Sequence, residues 1–223
     1  MTKHYDVTAL GEVLIDFTEN GSSAQGNPMY EANPGGAPCN VLAMLQKFGH
    51  KTAFLGKVGE DIFGRRLEIV LKEAGIDTAG LCMDPTVRTT LAFVEKKADG
   101  DRDFSFYRNP GADMMLRTEE LQEQILKDTR IFHFGTLSMT DEPVRSATRH
   151  AIETAKANGA MLSFDPNIRE PLWQSMEEAK RQTAYGMEVC DVLKISDNEI
   201  RWFTGEEDFD REWTCFGGNT TFL

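Results

Sequence analysis

Short runs rich in apolar and β-branched residues alternate along this chain with stretches whose apolar positions recur at helical spacing. Val7-Thr8-Ala9-Leu10 opens the series and stops at Gly11; β-rich runs return over 52–58, 131–134, 161–164 and 192–195. A helix over 37–48 aligns Val41, Leu42, Leu45 and Phe48 on one face, with Gly49 behind its last turn. A second helix over 61–74 buries Leu67, Val70 and Leu71 before Gly75, and helices over 142–158 and 176–187 connect the later strands. Parallel neighbours in a sheet need a long crossover, which a helix supplies. The alternation therefore predicts an α/β fold with a mostly parallel sheet flanked by helices.

Two segments break the rhythm, residues 12–33 and 88–108. Apolar alternation over 89–94 and 104–107 on either side of Asp99-Gly100 predicts an antiparallel hairpin. With the run 13–18 it would form a small β lid beside the main sheet. After Gly205 the periodicity fades, and Gly217-Gly218-Asn219-Thr220-Thr221 is not followed by a helical pattern. The expected division is an α/β unit over 1–210 and an atypical tail over 211–223.

A chain of 223 residues has enough length for a sizeable core without disulfides or metal. Its 36 acidic against 24 basic side chains give a net charge of −12. That balance argues against nucleic acid or an anionic membrane as partner, because those bind through clustered Lys and Arg. A small neutral ligand fits better. Cys39, Cys82, Cys190 and Cys215 show no metal-ligand spacing, which points to reduced thiols and a cytoplasmic setting. No apolar run nears the roughly 20 residues that span a bilayer, and Asp6, Glu12 and Asp16 interrupt what would be an N-terminal signal core.

Pro34-Gly35-Gly36-Ala37-Pro38-Cys39-Asn40 places paired glycines directly before a helix. Glycines let backbone approach a ligand, and free amides at a helix start attract electronegative atoms. Asp16 sits in the apolar run Val13-Leu14-Ile15-Asp16-Phe17, and Asn40 occupies the first turn of the helix, at a position expected to face the core. A buried acid or amide needs polar partners, so the two are expected to converge beside the glycine turn as a cradle for hydroxyl groups. His133 in a β run is expected to be a satisfied structural histidine. Met114, Met115, Met139 and Met161 are expected to fill the core.

The chain resembles the ribokinase-like (PfkB) carbohydrate kinases, and within them the fructokinase branch. The resemblance rests on Gly11-Glu12-Val13-Leu14-Ile15-Asp16, Gly35-Gly36-Ala37-Pro38-Cys39-Asn40-Val41 and Gly56-Lys57-Val58-Gly59-Glu60-Asp61 with Phe63-Gly64. It continues in Phe106-Tyr107-Arg108-Asn109-Pro110-Gly111-Ala112-Asp113, Asp165-Pro166-Asn167-Ile168-Arg169 and Lys194-Ile195-Ser196-Asp197-Asn198-Glu199. It implies a ribokinase-like fold and transfer of the ATP γ-phosphoryl group to a sugar hydroxyl, fructose being the favoured acceptor. By the same resemblance Asp16, Gly35, Gly36 and Asn40 would bind sugar hydroxyls, Phe106 and Arg108 would close from the lid, and Arg169 would lie near the sugar or the phosphates. Lys194 would face the nucleotide phosphates, and Glu199 would organise Mg2+ through water. A 2-keto-3-deoxygluconate kinase is the alternative within the class, with Arg108 and Arg169 meeting a carboxylate. The oligomeric state stays open, a homodimer paired through the lid being the arrangement the family suggests. The family's late Gly-Ala-Gly-Asp turn, which carries the catalytic base, is absent from these residues. That predicts a chain holding the sugar-binding part of the fold without its C-terminal part, inactive as a kinase, or alternatively a non-catalytic sugar-binding remnant.

Overall fold

The computed structural model describes residues 3–96, 102–205 and 221–222. From the N-terminus, β1 (Tyr5–Leu10) leads into β2 (Leu14–Ser22), β3 (Pro28–Gly35), α1 (Ala37–Lys47), β4 (Thr52–Gly59), α2 (Ile62–Glu73) and β5 (Asp77–Asp84). The hairpin strands β6 (Leu91–Lys96) and β7 (Arg102–Tyr107) come next, then α3 (Glu123–Lys127), β8 (Thr129–Gly135), α4 (Val144–Ala157) and β9 (Met161–Asp165). The described chain closes with α5 (Met176–Val189), β10 (Val192–Leu193), α6 (Asp197–Thr204) and β11 (Thr221–Phe222).

The main sheet has the order β11-β10-β9-β8-β1-β4-β5, and its recorded pairings are all parallel. Its strands are apolar on both faces because helices cover both. Val7 and Ala9 of β1 join Phe54 of β4 against Leu42 of α1 and Leu67 and Leu71 of α2. Leu10 faces the other way, with Phe132, Phe134 and Phe164 against Ala147 and Ala151 of α4. Each of these fully buried rings contributes roughly 1.5–3 kcal/mol by leaving water. Among the described residues, no helix is long and apolar enough to cross a membrane.

The chain runs outward from β1 to β4 and β5, then returns to β8 on the opposite side of β1. Strand order thus reverses between β1 and β8. In open parallel sheets the crevice for ligands forms at such a reversal, beyond the carboxyl ends of the strands. Here those ends lead into Glu12, Thr136 and Pro166.

The lid is a second sheet of order β3-β2-β6-β7, with β2 antiparallel to β3, parallel to β6, and β6 antiparallel to β7. Period-two alternation gives it two faces. Leu14, Asp16 and Thr18 turn inward together with Phe104 and Phe106. Phe17 turns outward and stacks on Phe93, which meets Tyr30 and Tyr107 in turn.

Several expectations change. Phe48, expected on the buried face of α1, caps that helix and is 71% exposed, because the chain has already left the helical path there. Met161 is exposed at the start of β9, whereas Met139 is fully buried. The run expected to be strand over 192–195 pairs only at Val192 and Leu193, and Ser196 then caps α6. The Asp99-Gly100 turn, Cys215 and the glycine pair at 217–218 lie outside the described residues, whereas Thr221–Phe222 add a short parallel strand beside β10.

Candidate active site

A cavity of about 370 Å³ lies between the lid and the carboxyl ends of β1, β8 and β9. That is within the roughly 300–1,000 Å³ typical of small-molecule sites. Asp16 enters it from β2, opposite Asn33 of β3. Gly35 makes room for it: a methyl group at Gly35 would overlap Asp16 Oδ2. Gly36 has φ +117°, a conformation side chains disfavour, and a Cβ there would run into the Glu12 carbonyl. The turn brings Gly36, Ala37 and Asn40 to the cavity wall. Asn40, expected to face the core, is exposed and lines the cavity instead, because the core stripe of α1 is Pro38, Cys39 and Leu42.

Phe104 and Phe106 stack on each other at 5.9 Å on the inner face of β7. Across from them the Arg169 guanidinium sits 5.5 Å from the Phe104 ring centre, joining the lid to the loop after β9. Asp16 accepts no hydrogen bond among the described residues; burial pushes its carboxyl up, while the Arg169 charge draws it down. With no hydrogen bond from the protein among the described residues, this half-buried acid faces the cavity with its acceptors open.

Glu12, Asn33, Leu137 and Asn167 also line the cavity, and none was expected there. Glu12 is 5% exposed, and its Oε1 accepts the Ala37 amide at 2.9 Å, capping α1 in place of Gly36, which has no side chain to do so. Burial raises its pKa to about 7, against the amides it accepts. The signal that exposed Asp16, an acid in an apolar run, was present for Glu12 as well. Asn167 holds φ +44° after Pro166, a backbone that asparagine tolerates. His133 is buried with Nδ1 3.1 Å from the Ser163 hydroxyl, and burial lowers its pKa to about 4, so it is a neutral structural side chain.

Arg108 does not line the cavity. It is buried, paired to Asp113, and donates to the Leu137 carbonyl at 2.8 Å and the Thr140 hydroxyl at 3.0 Å. The direct sugar contact expected of it is therefore corrected: internal acceptors take its donors. Lys194, just past β10, pairs with Asp165 at 3.1 Å, whose carboxyl is pushed up mainly by burial. Glu199 Oε2 accepts the Ser196 amide and hydroxyl, and Oε1 accepts the Ile168 amide at 2.9 Å. It thereby ties the start of α6 to the loop that carries Asn167 and Arg169. Among the described residues no cluster of three or more His, Cys, Asp or Glu is placed to hold a metal, and Cys39, Cys82 and Cys190 are free thiols.

The architecture is that of an α/β protein with a parallel sheet whose switch-point crevice is roofed by a β lid and lined with polar side chains. The chain belongs to the pfkB family of carbohydrate kinases, whose model matches residues 5–214. It is similar to "Probable fructokinase-2" of Arabidopsis thaliana, with 45% identity over 208 residues, covering 92% of this chain and 63% of the relative. Among solved structures it is similar to fructokinase from Xylella fastidiosa, with TM-score 0.84 and 36% identity over 90% of this chain and 62% of that one. The same enzyme with bound ATP gives TM-score 0.82 at 36% identity, over 90% and 60% of the two chains. The chain thus spans under two thirds of the length of these proteins.

Proposed function

We propose that this site serves the ATP-dependent phosphorylation of a sugar hydroxyl, with D-fructose as the favoured acceptor. The observation that carries the reading is the unpartnered Asp16 carboxylate in a cavity that also presents Asn33, Asn40 and Asn167. A carboxylate accepts two neighbouring hydroxyls at once, and amides donate and accept, so this lining selects a polyol and rejects analogues that lack its hydroxyls. Phe104 and Phe106 cover the apolar face of the ring and exclude water. Fructokinases at 45% and 36% identity support the choice of sugar. The ketoacid alternative loses support, since Arg108 is consumed internally and Arg169 is the one cation in the described lining, beside Asp16 and Glu12.

In this reading Asp16 and the amides hold the sugar, and Arg169 steadies the lid and faces the incoming negative charge. Lys194, paired with Asp165, would face the nucleotide phosphates. Glu199 fits an indirect metal role: Oε2 is filled, but Oε1 keeps one lone pair for a metal-bound water. When bound, Mg2+ neutralises charge on the transferring phosphoryl group. A cytoplasmic setting, which supplies ATP, and a homodimer paired through the aromatic outer face of the lid belong to the same proposal. These 223 residues are assigned the sugar-holding share of the reaction, because the Gly-Ala-Gly-Asp base is not among them.

The test is calorimetric titration of D-fructose into the purified chain and its Asp16→Ala variant, with ADP release assayed in fructose, ATP and Mg2+. Saturable binding in the parent, weakened at least about tenfold in the variant, is expected, with no sugar-dependent ADP release. Equal binding by the two proteins, or none by the parent, overturns the reading. Turnover at roughly 1–100 per second would place a base among these residues.

A further inference from the structure

A buried polar cluster outside the cavity lining sits at the root of the lid. Thr90 directly precedes β6 and Arg108 directly follows β7, so the two residues mark the ends of the hairpin. Asp113, in the 3₁₀ turn Ala112–Met115, gives one carboxylate oxygen to each: Oδ1 accepts the Thr90 hydroxyl and Oδ2 accepts Arg108 Nε at 2.7 Å. The Arg108 and Asp113 side chains are 2% and 3% exposed. Gly111 keeps the turn close, since a methyl there would overlap the Thr90 hydroxyl. The far side of the guanidinium holds the Leu137 carbonyl and the Thr140 hydroxyl. Leu137 lines the cavity, as does Phe106, two residues before Arg108.

A single carboxylate therefore fixes both ends of the hairpin, and the same network reaches the turn after β8. Packing alone would let a small sheet rock on its connections. Charge-assisted bonds in a dry site hold it at fixed distances and angles. We propose that Thr90, Arg108 and Asp113 form a clamp that sets the position of the lid over the cavity, acting as positioning residues for the bound sugar without touching it. The sugar arm rests on the sugar-kinase reading above; the mechanical arm does not.

Thr90→Val removes one hydroxyl at nearly constant volume, and Thr90→Ser keeps it. Hydrogen exchange followed by mass spectrometry compares lid peptides from β6 and β7 with a β4 peptide in the unliganded chain. The clamp predicts exchange at least about tenfold faster in the lid of Thr90→Val, unchanged exchange in β4, and parental behaviour in Thr90→Ser. D-fructose titration predicts a Kd about tenfold weaker for Thr90→Val, restored by Thr90→Ser. Equal acceleration in lid and β4 means global destabilisation and overturns the clamp, as does an unchanged lid. Faster lid exchange with fructose affinity within about twofold of the parent overturns its role in sugar positioning. If the parent binds no fructose, the sugar-kinase reading falls, and the unliganded exchange still decides the clamp.

Discussion

Replacing Glu12 by Gln should stabilise this protein, and by an amount that depends on pH. The carboxyl is 5% exposed, and burial raises its pKa from the ordinary 4.5 to about 7. Below about pH 4.5 it is protonated in both folded and unfolded chains, so it costs nothing. As the pH rises through about 7, the unfolded chain is already ionised while the folded chain must place a charge in a dry site. The stability associated with the neutral form is lost across that window. At about 1.4 kcal/mol per pH unit, the full cost is roughly 3 kcal/mol, reached above about pH 7. Glutamine keeps an oxygen for the Ala37 amide and carries no charge, so it retains the cap. Urea unfolding of parent and Glu12→Gln in parallel at several values from about pH 4.5 to 8 follows this group, because titrations not coupled to Glu12 cancel in the difference. The difference should start near zero and grow to roughly 3 kcal/mol, or about 6–12 °C in Tm for a chain of this size. A difference that stays flat across the window, or that favours the parent at high pH, refutes the placement of Glu12 in a desolvated site.

Gly35→Ala should weaken fructose binding at least about tenfold, because the new methyl displaces the Asp16 carboxylate; the Asp16→Ala/Gly35→Ala double variant should lose no more than Asp16→Ala alone. Additive losses in titration calorimetry would separate the two residues. Lys57→Met should destabilise the fold by about 3 kcal/mol in urea unfolding, near the low end for a broken buried pair because Glu120 is partly exposed: Lys57 is 6% exposed and bridges Asp84 at 3.1 Å and Glu120 at 2.8 Å. A loss under about 1 kcal/mol would mean that hydration replaces the lysine.

Elements that bury a regular face were legible in the sequence, and those that do not were missed. The strands of the sheet centre and the helices α1, α2, α4 and α5 each present an apolar run or stripe. Strand β5 was missed because it is an edge strand, with Asp77 and Asp84 at its ends, Gly80 inside and only Gly80 and Asp84 buried. Helix α6 was missed for a related reason: its first turn is Asp197-Asn198-Glu199, and Ile200 is its one buried residue. The lid hairpin could be read from alternation, but its register depends on contacts between β2 and β6, which lie far apart in sequence. Phe48 shows the converse error, an apolar residue whose spacing fits the helix but whose backbone has already left it.

At the site, a polar residue in an apolar run announces that some partner exists, and the sequence cannot say whether that partner is protein or ligand. Asp16 carries that announcement, whereas Arg108, at the end of a hairpin strand, was a candidate through the family resemblance alone. Arg108 finds Asp113 five residues away and Leu137 and Thr140 29 and 32 residues away, and these internal acceptors occupy its guanidinium. Asp16 accepts no hydrogen bond among the described residues, and Gly35 leaves the room its carboxylate occupies at the cavity wall. The distinction is a count of donors against acceptors in three dimensions, which no spacing rule contains. It also decides the assignment of roles: a satisfied buried charge holds the fold in place, whereas an unsatisfied one beside a cavity waits for a ligand's hydroxyls. The same count divides the two cavity acids. Glu12 already accepts the Ala37 amide and serves the turn, so Asp16 is the cavity acid that keeps both carboxylate oxygens free of protein hydrogen bonds among the described residues.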